Sequence, residues 1–269
     1  MTYRSLLFVP GSRPDRFAKA LDAGADAVCI DLEDAVPPAG KAQARAETLA
    51  FIRANPHPTA LGLRINGARS PDGLRDLVAL LDGEARPDFV MVPKVAAGED
   101  LALIAEALGP NAPPLWPVVE SAEGLRRAWD ICAAPGVAGV LFGGADLSAD
   151  LGSDMSWDAL LLARTTLTAA AARAEIATLD VPHLDLKDPV DLTVSTTRAK
   201  ALGFTGRACI HPDQVGPVNA AFSPTPAEIE RAHRVVEAFD AAGGAAALLD
   251  GKLIELPVIR AARRVLARA

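Results

Sequence analysis

The sequence predicts an α/β fold: a (β/α)8 TIM barrel over residues 1–222, then a helix–hairpin–helix extension over 223–269. Three observations carry this reading. Eight short apolar runs alternate with amphipathic stretches, the pattern of a parallel sheet covered on both faces by crossover helices. No G-x-G-x-x-G follows the first run, which counts against an open dinucleotide-binding sheet. A length of 269 residues is ordinary for a closed barrel and long for most other single domains.

The elements follow in order. SLLFVP (5–10) is the first strand, and PDRFAKALDAG after it reads as a helix opening on proline. AVCIDLE (27–33) is the second strand. LGLRIN (61–66) precedes the helical GLRDLVALLDG, and FVMVPK (89–94) precedes DLALIAEALG. LWPVVE (115–120) leads into SAEGLRRAWDI, and VAGVLFG (137–143) into the long SWDALLLARTTLTAAAARAE. ATLDVP (177–182) and RACIHP (207–212) complete the eight. Beyond them Thr225-Pro226-Ala227-Glu228 is a capping box with proline at the first helical position, and its helix runs to Gly243-Gly244. AALLDGKLIEL then places two apolar arms around Asp250-Gly251, a hairpin signal, and a last helix starts near Pro257.

Half of the residues are apolar but only 4% are aromatic, so the core is expected to be aliphatic. A net charge of −7 counts against nucleic-acid binding, which needs a basic footprint. It leaves room for an anionic ligand on a local basic patch. Cys29, Cys132 and Cys209 sit in apolar runs at no metal-binding spacing, as expected of a reducing, cytoplasmic compartment. The N-terminal MTYRSLLFVPGSRPDR lacks a secretory apolar region, and no segment is long enough to cross a bilayer.

Chemistry in such a barrel belongs at the C-terminal ends of the strands. Here otherwise apolar strands end on charge: Asp31, Glu33 and Asp34, then Arg64, Lys94, Glu120, Asp146 and Asp180. Three carboxylates within four positions after AVCI repel one another unless a cation or water satisfies them. Glu120 and Asp146 lie one βα repeat apart and form the best metal-ligand pair. With oxygen donors and no thiolate or imidazole cluster, the ion is expected to be Mg2+, or Mn2+. The alternative is that Glu120 and Asp146 merely cap the helices beginning at Ser121 and Leu147.

Arg64 reads either as a bidentate clamp for a substrate carboxylate or as a structural partner of Glu33 or Asp34. Those two acids could also hydrogen-bond water around a metal. Lys94 reads as a Schiff-base lysine or as a salt bridge to the acidic ring. His183 and His211 are candidate acid–base groups or backbone-bonding loop histidines. Arg4, Arg13, Arg16 and Lys19 make a basic patch around the first helix, suited to phosphates or simply solvated.

Taken together, RSLLFVPGSRPDRFAKALDAGADAVCIDLEDAVPPAGKAQAR, LRINGARS, VMVPKV, VVESAEGL, FGGADLSADLG and GFTGRACIHPDQVGPVNAAF resemble the citrate lyase β-subunit-like (CitE-like) CoA-ester lyases of the HpcH/HpaI aldolase superfamily. The resemblance covers nearly the whole chain. It implies a Mg2+-dependent carbon–carbon lyase that cleaves a 3-hydroxyacyl-CoA of citramalyl, malyl or citryl type into acetyl-CoA and a small 2-oxo acid. Carried over by position, Glu120 and Asp146 match the metal ligands and Arg64 the substrate-carboxylate arginine. Glu33 and Asp34 match the acidic pair beside the metal, while Gly144 and Ala145 fall in the substrate-binding loop. Arg4, Arg13 and Lys19 match the side where CoA phosphates are expected, and a homotrimer, or a multiple of it, is implied. One departure stands out. The family's C-terminal G-x-M-I-D-x-P hairpin is here Gly251-Lys252-Leu253-Ile254-Glu255-Leu256-Pro257, with Glu255 in the place of the acid–base aspartate. A metal-dependent aldolase acting on free hydroxy-keto acids, and a non-catalytic citrate-lyase-like subunit, are the competing expectations.

Overall fold

The computed structural model describes residues 2–54 and 56–269 and divides the chain into two compact units, Met1–Asn219 and Ala220–Ala269. In the first unit the order is β1 (Ser5–Pro10), α1 (Phe17–Leu21), β2 (Ala27–Asp31), α2 (Lys41–Ala54), β3 (Ala60–Arg64), α3 (Pro71–Asp82), β4 (Val90–Val92), α4 (Gly98–Leu108) and β5 (Leu115–Val119). It continues with α5 (Ala122–Arg126), α6 (Ala128–Cys132), β6 (Gly139–Phe142), α7 (Gly144–Leu151), α8 (Leu161–Ala174), β7 (Ala177–Asp180), α9 (Pro189–Leu202), β8 (Gly206–Cys209) and α10 (Val215–Phe222). The unit break falls inside α10, at 219/220.

The eight strands close into one barrel, each parallel to its neighbours, with β8 returning to β1 through Ser5↔Arg207 and Leu6↔Ala208. The (β/α)8 expectation therefore holds, with each strand a residue or more shorter than its apolar run except the first. The polar ends of those runs lie past the ladder, where the chain turns outward.

The core departs from the aliphatic expectation at one level. Tyr3, Phe89 and Trp116 meet inside the barrel, Tyr3 stacked on Trp116 with ring centroids 5.4 Å apart. A Cβ on Gly139 would stand 2.5 Å from the Trp116 ring, so the indole fits only because its neighbouring strand offers a glycine there. Leu6, Cys29, Met91, Val118, Leu141 and Leu179 fill the remaining interior. The three cysteines are buried and unbridged.

The second unit contains α11 (Pro226–Ala241), a hairpin of β9 (Ala247–Leu249) and β10 (Lys252–Ile254), and α12 (Leu256–Leu266). The capping box is made as expected: Thr225 Oγ1 accepts from the Glu228 amide at 3.2 Å, and Glu228 Oε2 accepts from the Thr225 amide at 2.7 Å. Asp250 and Gly251 both take positive φ, 50° and 72°, which suits a tight hairpin turn. Ala232, Val235, Phe239, Ile254, Ile259 and Ala262 form this unit's core. Among the described residues, no helix is long and apolar enough to cross a membrane.

Candidate active site

Strand register sets the first contact. Asp31 ends β2 directly beside Arg64 at the end of β3, and the two side chains form a bidentate pair, Nε to Oδ1 at 2.7 Å and Nη2 to Oδ2 at 2.6 Å. The loop after β2 folds back over the same carboxylate, which also accepts from the amides of Glu33 at 2.8 Å and Ala35 at 3.1 Å. Lys41 pins this loop by donating to the carbonyls of Leu32 and Glu33, a role the sequence reading missed. So folded, the loop brings Glu33 to 3.0 Å and Asp34 to 3.4 Å from Arg64 Nη1. One guanidinium thus faces three carboxylates. Burial works against its charge, but Asp31, Glu33 and Asp34 overcome this and hold it protonated.

Glu120 follows β5 and is 6% exposed. Its Oε1 accepts from the Lys94 amide at 2.6 Å. Lys94 adopts φ +56°, the left-handed region, just after β4. A non-glycine residue held there costs of order 1 kcal/mol and persists only when its surroundings enforce it. On the other side Gly143 leaves room: a Cβ there would lie 2.3 Å from Glu120 Cβ and 3.0 Å from its Oε2. The capping alternatives fail. Ser121 itself caps α5 by accepting from the Gly124 amide at 3.0 Å, and Asp146 lies within the first turn of α7, whose N-cap is Gly143.

The Lys94 ammonium bonds to Asp146 Oδ2 and lies 3.5 Å from Glu120 Oε1 and 3.7 Å from Glu33 Oε1. Acids following three different strands therefore converge on one cation. Burial disfavours that ammonium, but the hydrogen bond to Asp146 and the charges of Glu120 and Glu33 raise its pKa overall. A Schiff-base lysine requires the reverse, so the salt-bridge reading is the one the geometry supports.

This convergence also tests the fit of a metal. The donors are hard carboxylate oxygens, and the position already attracts a cation. Glu33 Oε2 is buried without a hydrogen bond, despite the nearness of Arg64. No set of three acidic, histidine or cysteine residues forms a ready-made metal cage among the described residues. Glu120 and Asp146 would therefore supply two ligands and leave the rest to substrate and water, which suits Mg2+. The donor set fits.

Burial pushes Glu33 up to about 8; Asp34 and Glu120 add to the rise while Arg64 and Lys94 oppose it. Between the ordinary carboxylate value and about 8 the folded chain keeps a proton that the unfolded chain has lost. Stability of the metal-free protein should therefore fall as pH rises through this window. Urea unfolding in EDTA at several pH values should show that slope, and Glu33→Gln should flatten it. A slope unchanged in the variant would contradict the assignment.

Asp31, Asp34, Arg64, Glu120 and Asp146 line a pocket of ≈ 410 Å³ at the C-terminal end of the barrel, with Phe8, Val118, Leu141, Phe142, Val181, Leu184 and Ile210 as its apolar wall. Ala145 lines it too, and Gly144 is buried at the start of α7. The remaining expected residues are not gathered here. Arg4 precedes β1 at the opposite end of the barrel and is tied to Asp26, Nη2 to Oδ1 at 2.7 Å, so the length of β1 separates it from Arg13. Arg13 forms a bidentate pair with Asp15 in the loop after β1, and Lys19 is exposed on α1. His211 accepts from the Asp213 amide as an N-cap. Glu255 belongs to the second unit, where it is the exposed N-cap residue of α12 and makes no side-chain cap bond.

A family profile described as HpcH/HpaI aldolase/citrate lyase matches residues 4–212. The chain belongs to that family. Among its relatives, (3S)-malyl-CoA thioesterase of Cereibacter sphaeroides is 38% identical, covering 99% of this chain and 94% of the relative. L-malyl-CoA/beta-methylmalyl-CoA lyase of the same organism is 31% identical, covering 99% and 94%. The crystal structure of CitE from Mycobacterium tuberculosis in complex with magnesium, acetoacetate and coenzyme A superposes with a TM-score of 0.85 at 34% identity, covering 100% of this chain and 98% of that one. Within a family of this chemistry the Gly143 contact gives a direct test. Gly143→Ala should displace Glu120 and weaken Mg2+ binding about tenfold, read as a smaller Mg2+-induced shift in Tm. An undiminished shift would show that Glu120 does not depend on that gap.

Proposed function

We propose that this chain is a Mg2+-dependent carbon–carbon lyase acting on a 3-hydroxyacyl-CoA whose carbinol carbon carries a carboxylate, as in malyl-, citramalyl- or citryl-CoA. The observation that carries it is the meeting of Arg64 with a cation-attracting carboxylate set in one pocket. The names of the relatives and the magnesium and coenzyme A of the CitE complex support it.

Arg64 keeps Asp31 through Nε and Nη2 and has Nη1 available to turn from Glu33 and Asp34 to the substrate carboxylate. Bound by Glu120 and Asp146, Mg2+ would act as a Lewis acid that stabilises negative charge on the reacting oxygens. A base accepts the hydroxyl proton, and we assign this role to Glu255 of a neighbouring copy in a homotrimer. The oxygen electron pair forms the new carbonyl as the bond to the thioester α-carbon breaks. The bonding pair leaves as the acetyl-CoA enolate, which takes up a proton to give acetyl-CoA and a 2-oxo acid. Ala145 lines the substrate side of the pocket with Gly144 buried beside it, and we assign Arg13 and Lys19 to the CoA phosphates. Arg4 is left out of this assignment.

The thioesterase name of a 38% identical relative favours a second reading, hydrolysis, in which water adds to the thioester and the C–S bond breaks. One assay separates the two. The purified chain with Mg2+ is given malyl-CoA, citramalyl-CoA and citryl-CoA, and free thiol and 2-oxo acid are measured together. Oxo acid without thiol supports the lyase, thiol without oxo acid the hydrolase, and neither product refutes both.

A further inference from the structure

Behind one wall of the candidate site lies a second cavity, ≈ 340 Å³, between α8, α9 and the loop after β7. Val181, Pro182 and Leu184 face both. The second cavity is lined by two buried arginines. Arg164, 4% exposed, donates from Nε to Asp180 Oδ1 at 3.0 Å, and its guanidinium lies 4.5 Å from the Trp157 ring centre and 5.1 Å from that of Phe142. Arg207, 3% exposed, donates only to neutral oxygens: the Val181 carbonyl at 3.0 Å, Ser195 Oγ at 2.8 Å and Thr196 Oγ1 at 2.9 Å. Arg198 stacks on the outer part of this cluster, 4.2 Å from the Trp157 ring centre; it is half exposed, with the exposed Asp158 carboxylate 3.8 Å from its Nη2.

The charges do not balance. Two buried guanidiniums share a single buried carboxylate, Asp180. Burial lowers the Arg207 pKa, Asp180 resists this and the like charge of Arg164 adds to it. The hydrogen bonds do not close either. Of seven buried side-chain atoms without a partner among the described residues, two belong to residues lining this cavity, Arg164 Nη1 and His183 Nε2, while Asp180 Oδ2 behind them is an acceptor that an anion does not meet. Leaving such atoms unmet costs about 1–3 kcal/mol each, and more for charged groups. Native proteins carry only a few such atoms per hundred residues, each with a reason such as a bound water or ion. Asp185 and Asp191 line the rim; Asp191, largely exposed and 3.6 Å from His183 Nδ1, favours the Arg207 charge less than buried Asp180 does, and Asp180 remains the one buried carboxylate here among the described residues.

We propose that this cavity is a binding site for a small oxyanion, a phosphate or a short dicarboxylate, held by Arg164, Arg207 and Arg198 and separate from the pocket at the mouth. The oxyanion supplies the missing negative charge and accepts from Arg164 Nη1. Because the 181–184 segment walls both cavities, its occupancy also fixes one side of the substrate pocket. The binding claim stands whether or not the chain is a lyase.

The test uses the full-length protein in EDTA at constant ionic strength, titrated separately with orthophosphate and succinate, with chloride as the control. Binding is followed by calorimetry and by the fluorescence of Trp157, taken as the difference between the protein and Trp157→Phe. The expected result is saturable binding with Kd near or below about 1 mM, a Trp157 signal, and at least tenfold weaker binding in Arg198→Gln, whose exposed side chain can be changed without unfolding the chain. Arg207→Gln should abolish the signal; Arg198→Gln carries the test if that variant does not fold. Tighter binding of phosphate or of succinate identifies which oxyanion the site takes. Binding unaffected by Arg198→Gln, binding lost only in Arg64→Lys, or no binding to either ion would overturn the proposal, the last meaning that ordered water alone fills the cavity.

Discussion

Replacing Arg64 by lysine should lower kcat/KM by about three orders of magnitude and destabilise the fold by about 3–5 kcal/mol. The two losses share one origin. Arg64 spends two nitrogens on Asp31 and has the third directed at Glu33 and Asp34. A lysine has a single charged atom and cannot satisfy a buried carboxylate while reaching a second one across the pocket. Asp31 would be left buried with only its two backbone donors. Urea unfolding reads the stability loss, and product formation from the best CoA ester reads the other. Full activity in a destabilised variant would make Arg64 a purely structural partner of the acidic loop.

The second large effect concerns the cation already in the site. Lys94→Met keeps the backbone amide that Glu120 accepts from but removes the ammonium between Asp146, Glu120 and Glu33. Metal-free, the variant should melt several degrees lower at pH 8, because three carboxylates are left facing one another in a half-dry pocket. Mg2+ no longer has to displace a resident charge, so its affinity should rise about tenfold, a coupling of ordinary size. The signature is a crossover: less stable than the parent in EDTA, with a larger stabilisation on adding Mg2+. Weaker Mg2+ binding in Lys94→Met would instead mean that the ammonium supports the ion rather than occupying its place.

Strand ends were readable because most of the apolar runs stop abruptly on charge, and a closed parallel barrel puts all such ends on one rim. What joins them there was not readable. The Asp31–Arg64 pair depends on cross-strand register, which no linear spacing reports; the sequence pointed Arg64 at Glu33 or Asp34, and the structure makes those contacts as well. Lys94 reaches Glu120 through a left-handed backbone that nothing in VPKV announces. Composition suggested an aliphatic interior, yet Tyr3, Phe89 and Trp116, far apart in the chain, meet inside it. Arg164 and Arg207 did leave a trace, each being a lone cation within an apolar stretch. Its meaning depended on the fold bringing both to Asp180.

The ring stack beneath the mouth has a kinetic consequence. Val118 and Leu141 belong both to the aromatic-filled interior and to the pocket wall, so the barrel is stoppered beneath the pocket. Under the proposed chemistry the acid fragment rests deepest, on Arg64, with the bulky thioester fragment between it and solvent. Departure is then last-in, first-out: acetyl-CoA leaves before the oxo acid. In the condensing direction the oxo acid should be the leading substrate, with acetyl-CoA inhibition patterns to match. Random-order kinetics would mean a second way out past the stopper.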